Sequence, residues 1–158
     1  MTNEILNNDM KVKSNETFSQ KFFTTNGRIN RMTFFKRSLA VTVIVFLLAF
    51  MAGLIYSVVN LDSANVEQST EIVIFAVSLL SLIPQYCLNT KRLHDIGKDE
   101  TLAKIFIGVE FLGSICIFST MGVAEIVSII SSTASLIFTA YLLFKKGDAD
   151  NNEYGASN

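Results

Sequence analysis

The sequence predicts an all-α membrane protein: a four-helix transmembrane bundle with both termini cytoplasmic and a short amphipathic interfacial helix before the first span. Half of the 158 residues are hydrophobic, and they are bunched into uninterrupted runs rather than alternating with charges. The runs approach the roughly 20 residues that a ~30 Å hydrocarbon layer demands. Of the 13 Lys and Arg residues, seven precede the first run, four lie between Lys91 and Lys104, and two follow the last run. The other two connections carry none, which by the positive-inside rule puts both termini and the 89–102 segment in the cytoplasm.

Residues 1–16 are rich in Asn, Glu, Lys and Ser and read as a flexible polar tail. They show no short apolar core with a small-residue cleavage site, so the first apolar run is expected to be a permanent anchor. Residues 17–37 form a cytoplasmic interfacial segment. Phe18, Phe22 and Phe23 interleave with Ser19, Gln20 and Lys21, as in a helix lying among headgroups. Asn26-Gly27 signals a turn, and Arg28, Arg31 and Phe35 then share one helical face.

The four-span transmembrane domain covers 38–146. Span one, about Ser38 to Val59, carries Ala49, Gly53 and Ser57 at four-residue spacing, a ridge of small residues that lets another helix approach. Span two, about Ile72 to Leu88, contains Pro84, and a charged loop is expected over 89–102. Spans three and four, about Ala103 to Met121 and Ala124 to Phe144, are joined by so short a link that they must be antiparallel neighbours. Residues 147–158 form a cytoplasmic tail. Cys87 and Cys116 fall at different depths, too far apart for a disulfide.

Within the spans, Ser78, Ser81, Gln85 and Asn89 form one polar stripe, and Ser128, Ser132, Ser135 and Thr139 another. Each should face other helices, because hydroxyls and amides facing lipid lack partners. Glu110 is the ionisable residue inside a span, about 10 Å from the start of span three. No Lys or Arg lies at its depth to pair with it. Its depth matches Gln85 and Ser135 to Thr139, so a hydrogen bond to one of these is expected.

Several chemistries are excluded. A net charge of −1 gives no basis for a nucleic-acid partner. His94 is the sole histidine, too few for a metal site, and adjacent His94 and Asp95 cannot orient each other as a hydrolytic triad requires. Asp148, Asp150 and Asn152 begin like a calcium loop, but Glu153 stands where that loop needs Gly. No enzyme activity, metal or cofactor is expected.

What remains is a coincidence of position. Gly27-Arg28 with Arg31, Lys91-Arg92-Leu93-His94-Asp95, and Gly147 with Asn152-Glu153-Tyr154-Gly155 are far apart in sequence, yet the topology gathers them on one membrane face. These motifs, with Phe34-Phe35 and Pro84, resemble the bacterial inner-membrane family of "domain of unknown function 805" over about Phe22 to Gly155. The resemblance implies a multi-pass protein of the bacterial inner membrane, with no assigned reaction. Two uses of the cluster follow. In one, Asp95 pairs with Arg28 or Arg31, and His94 and Tyr154 hydrogen-bond across, so that the protein is structural or an interaction partner. In the other, Arg28, Arg31, Lys91 and Arg92 bind an anionic headgroup or a phosphate-bearing ligand. A small carrier or channel using Glu110 is a third use. The expected partners are the lipid bilayer, with anionic lipid headgroups and another membrane protein as further candidates.

Overall fold

The computed structural model describes residues 16–59, 66–116 and 122–155. Five helices occur among them: α1 (Phe18–Phe22), α2 (Arg31–Val59), α3 (Val66–Asp95), α4 (Thr101–Ile115) and α5 (Gly122–Phe144). No strand forms among the described residues beyond an isolated bridge between Asn152 and Gly155. Three helices contain stretches long and apolar enough to cross a membrane, Arg31–Tyr56, Ile72–Asp95 and Glu125–Phe144. The fourth, α4, has 15 residues, which cover about 22 Å, short of a ~30 Å hydrocarbon layer. The rest of the expected third span, 117–121, lies outside the described residues, as does most of the 1–16 tail.

Local sequence explains the helix starts. Thr17 and Gln20 form a reciprocal capping box at α1. Gly27 turns the chain with φ +93°, and the Asn30 side chain accepts the Thr33 amide at 2.8 Å, capping α2. The first span therefore begins at Arg31, inside what reads from sequence as a separate interfacial segment. Arg37 in that added turn donates to Glu16 at 2.6 Å.

The larger departure is at the far end of α3. The loop expected over 89–102 is confined to 96–100: helix continues through Pro84 and on to Asp95, and the next begins at Thr101. The abrupt rise in charge at Lys91 marks a change of surroundings, not a helix end. The helix stops at Gly97, whose φ of +73° permits a Schellman closure. Lys98 N donates to Leu93 O at 2.9 Å, and Gly97 N to His94 O at 3.2 Å.

Helices α2 to α5 pack as consecutive neighbours, with α2 and α3 also touching α5, and α1 lies against α3. Phe106 stacks on Phe138 at 3.7 Å, and Ser135 bonds Glu110. A Cβ at Gly113 would stand 3.1 Å from that of Ser131. Ascending numbers on α4 thus meet descending numbers on α5, so the two are antiparallel. Burial is concentrated at one end: Ile29, Phe34, Val41, Leu88, Leu93, Ile96, Ala103, Phe138 and Leu142 form the core. Away from that end few side chains are buried among the described residues, Ser131 beside Gly113 being one. A Cβ added at Gly53 would meet nothing within 4 Å, so no helix among the described residues packs on the small-residue ridge of span one at that position.

Candidate functional site

The core end is capped by buried charge. Arg92 is completely buried and is the largest such side chain among the described residues. Its position one turn before Asp95 on α3 lets its guanidinium pair with the Asp95 carboxylate. Its Nε also donates to Leu142 O at 2.8 Å and its Nη2 to Lys145 O. Both acceptors belong to the end of α5, where carbonyls have no partner within the helix. Nη1 also reaches Ile29 O at 3.5 Å. One side chain thereby ties the end of α3 to the end of α5 and the approach to α2.

Arg28 completes the arrangement from the other side. Its Nη2 stands 3.4 Å from Asp95 Oδ1 and donates to Asp148 O at 2.8 Å. Its Nη1 donates to Asp150 O at 2.9 Å and Gly155 O at 3.2 Å. Of the Arg28 nitrogens, Nε is buried without a hydrogen-bond partner among the described residues. Asp95 thus holds two guanidiniums, while its own carbonyl accepts the Asp148 amide at 2.7 Å. The close approach is possible because position 147 is glycine: a Cβ there would collide with the Asp95 carboxylate and lie 3.0 Å from its carbonyl.

His94 and Asn152 join the same end. Asn152 Nδ2 donates to His94 O at 2.9 Å, and His94 Nδ1 lies 3.3 Å from Gly27 O. Tyr154 stacks flat on the His94 ring, with centroids 3.9 Å apart and planes 4° apart; of the two residues expected to hydrogen-bond across the cluster, His94 reaches Gly27 O and Tyr154 joins by ring contact. Hydrogen bonding to Glu153, then burial, raises the Tyr154 phenol above its ordinary range. Lys91 Nζ donates to Gln20 O and Lys21 O at the end of α1, holding that helix against α3. At the margin, Lys104 hydrogen-bonds to Glu100 and holds its carboxyl below the usual range.

Of the residues expected together, Arg28, Arg92, His94, Asp95, Asn152 and Tyr154 meet, and Lys91 braces them. Arg31 does not reach Asp95. Helix α2 begins at that residue, and its exposed side chain instead borders a cleft of about 620 Å³ between Met32, Phe35, Leu143 and Phe144. Arg31 has no ion pair or hydrogen bond among the described residues. The acceptors from Gly27, Leu142, Lys145 and Asp148 are backbone carbonyls, which leave no mark in side-chain patterns.

The second candidate region lies deeper. Gln85, Asn89, Glu110, Ser135 and Thr139 line one cavity of about 120 Å³ between α3, α4 and α5. Glu110 also borders a second, of about 220 Å³, with Ser78, Ser128 and Ser132. The two polar stripes therefore face each other across α4. Ser135 Oγ donates to Glu110 Oε1. Cys87 is buried, Cys116 partly so, and both are free thiols. No group of three His, Cys, Asp or Glu that could hold a metal occurs among the described residues.

A family model described as "Protein of unknown function (DUF805)" matches residues 22–156, a span that includes every residue of both regions. The chain belongs to that family. No curated protein and no solved structure matches the chain.

Proposed function

We propose, from membership of the DUF805 family, that this chain is a four-span protein of the bacterial inner membrane with both termini cytoplasmic. Its polar cluster serves as a structural lock on the cytoplasmic face, and the protein acts as a structural or interaction protein rather than an enzyme. The orientation rests on the clustering of Lys and Arg. The fourth crossing rests on the antiparallel packing of α4 against α5 and on the apolar residues that continue past Ile115. The lock rests on one observation: the buried guanidiniums of Arg28 and Arg92 are engaged by Asp95 and by carbonyls of this chain from Ile29, Asp95, Leu142, Lys145, Asp148, Asp150 and Gly155. An anion would have to displace those partners to bind there.

A second reading, recognition of an anionic lipid headgroup, is favoured at Arg31 instead. Arg31 is exposed at the mouth of an apolar cleft, and Lys145 follows Phe144 directly on its other wall. Native mass spectrometry of the protein with added phosphatidylglycerol or phosphatidylcholine separates the readings. Arg31→Ala should reduce retention of phosphatidylglycerol without destabilising the bundle, and Arg28→Ala should destabilise the bundle without changing lipid retention. Loss of anionic lipid on Arg28→Ala, with folding intact, would return ligand binding to the cluster and overturn the lock.

A further inference from the structure

Gln85 and Asn89 each carry an amide, and neither side chain has a hydrogen-bond partner among the described residues. Both line the 120 Å³ cavity with Glu110, Ser135 and Thr139. One carboxylate oxygen of Glu110 takes the Ser135 hydroxyl; Oε2 takes no bond from a described residue. Glu110 lies at the exposed edge of the bundle and Gln85 and Asn89 are half-buried, so at membrane depth they face hydrocarbon unless something polar meets them, which is costly; two amides and a carboxyl converging on one small cavity imply an occupant. We propose that this cavity binds a small monovalent cation, with Glu110 supplying the negative charge and Gln85, Asn89, Ser135 and Thr139 supplying neutral oxygen ligands.

The chemistry of the lining selects the class. Every donor is oxygen, and no Lys, Arg, His or Cys borders the cavity, so soft transition metals have no suitable ligand. Calcium takes about 6–8 oxygen ligands, and magnesium on one or two carboxylates is completed by phosphates and retained waters, whereas a single carboxylate balances a single positive charge. The volume is compatible with the same answer: about 120 Å³, at about 30 Å³ per water, holds an ion and a few waters.

The fold also dictates the approach. On the locked side the cavity floor is the stacked Phe106 and Phe138 pair, and beyond it Leu142, Ala103 and Leu88 are fully or almost fully buried. On the other side Glu110 opens into the second cavity with Ser78, Ser128 and Ser132. From Asn89 to Ser78 the polar stripe of α3 extends about 16 Å, roughly half the hydrocarbon thickness. The ion therefore enters and leaves from the loosely packed side, which makes this a blind site and not a through channel.

The inference takes from the proposed topology only that α3, α4 and α5 lie in the membrane. A hydrophobic carbodiimide, which modifies carboxylic acids inside membranes, tests it directly. The full chain in lipid vesicles is treated in sodium chloride, potassium chloride or choline chloride at equal ionic strength, and adducts at Glu110 are counted by peptide mass spectrometry. Sodium or potassium should slow modification of Glu110, roughly tenfold at ten times the dissociation constant, and choline should not. Gln85→Leu with Asn89→Leu should abolish that protection while Glu110 remains reactive in choline. Equal modification in all three salts would leave a merely hydrated cavity and overturn the cation site. If Glu110 reacted as readily with a water-soluble, membrane-impermeant carbodiimide, the immersion of α4 would fail instead.

Discussion

Asp95→Asn removes one charge and almost no volume, which isolates the electrostatic role of the cluster. The Asp95 side chain is 6% exposed, and its arginine partners are 1% and 0% exposed. Neither guanidinium can rehydrate while the bundle stays closed. The amide still accepts from one arginine, but its NH₂ then faces the other, so one buried cation is left uncompensated. Breaking a buried pair in this way costs about 3–5 kcal/mol. At about 2–4 °C per kcal/mol for a chain of this size, the melting point should fall by roughly 6–20 °C. The chain has no tryptophan, but buried Cys87, two turns before Asp95, offers a readout. In a Cys116→Ser background, a thiol-reactive fluorophore should report unfolding in detergent as Cys87 becomes accessible. Arg28→Ala should lose stability in common with Asp95→Asn, with a coupling on the order of 1–3 kcal/mol in the double-mutant cycle, whereas Arg31→Ala should add independently. A melting point within a degree or two of wild type, or strict additivity of Asp95 with Arg28, would refute the lock.

Gly147→Ala should destabilise as strongly as the charge mutation in the same melting assay, because its Cβ collides with the Asp95 carboxylate. Gly53→Ala, which meets nothing within 4 Å, should melt like wild type or slightly above it. Tyr154→Phe should keep the His94 stack and be neutral, while Tyr154→Ala should cost about 0.5–1.5 kcal/mol. Glu110→Gln should be tolerated and Glu110→Leu should lose roughly 1–2 kcal/mol, measured by the same thiol assay. For topology, Cys placed at positions 65 and 146 should react with an impermeant maleimide from outside and inside respectively, and external labelling at 146 would reverse the proposed orientation.

Periodicity and charge made the apolar helices, the gathering of three distant motifs and the facing polar stripes legible in the sequence. The extent of α3 was not legible. Lys91, Arg92, His94 and Asp95 depress hydropathy as a loop would, yet the residues between and before them, Leu88 and Leu93, are fully buried. Tertiary partners for the charges, invisible to any local window, keep that turn helical. Arg31 was misplaced for a related reason. The sequence reading put Arg28 on the same helical face as Arg31 and Phe35, but Asn30 caps α2 between the two arginines; Arg28 lies before the helix and turns to Asp95, while the capped helix carries Arg31 with Phe35 toward Phe144. Backbone acceptors, which satisfy most of the Arg28 and Arg92 donors, depend on where distant carbonyls arrive and have no residue signature.

The Arg28 contacts with Asp148, Asp150 and Gly155 have a consequence for biogenesis. The chain emerges from the ribosome in order, so Arg28 and Asp95 are already made when the last span enters the bilayer. The carbonyls that surround Arg28 belong to residues 148–155 and come afterwards. Until they arrive, that end of the nascent bundle exposes a half-solvated ion pair and a glycine-lined gap against Asp95. Closure of this end therefore waits on the docking of residues 148–155, and an insertase or membrane protease could distinguish a chain in which they have docked from one in which they have not by that gap alone.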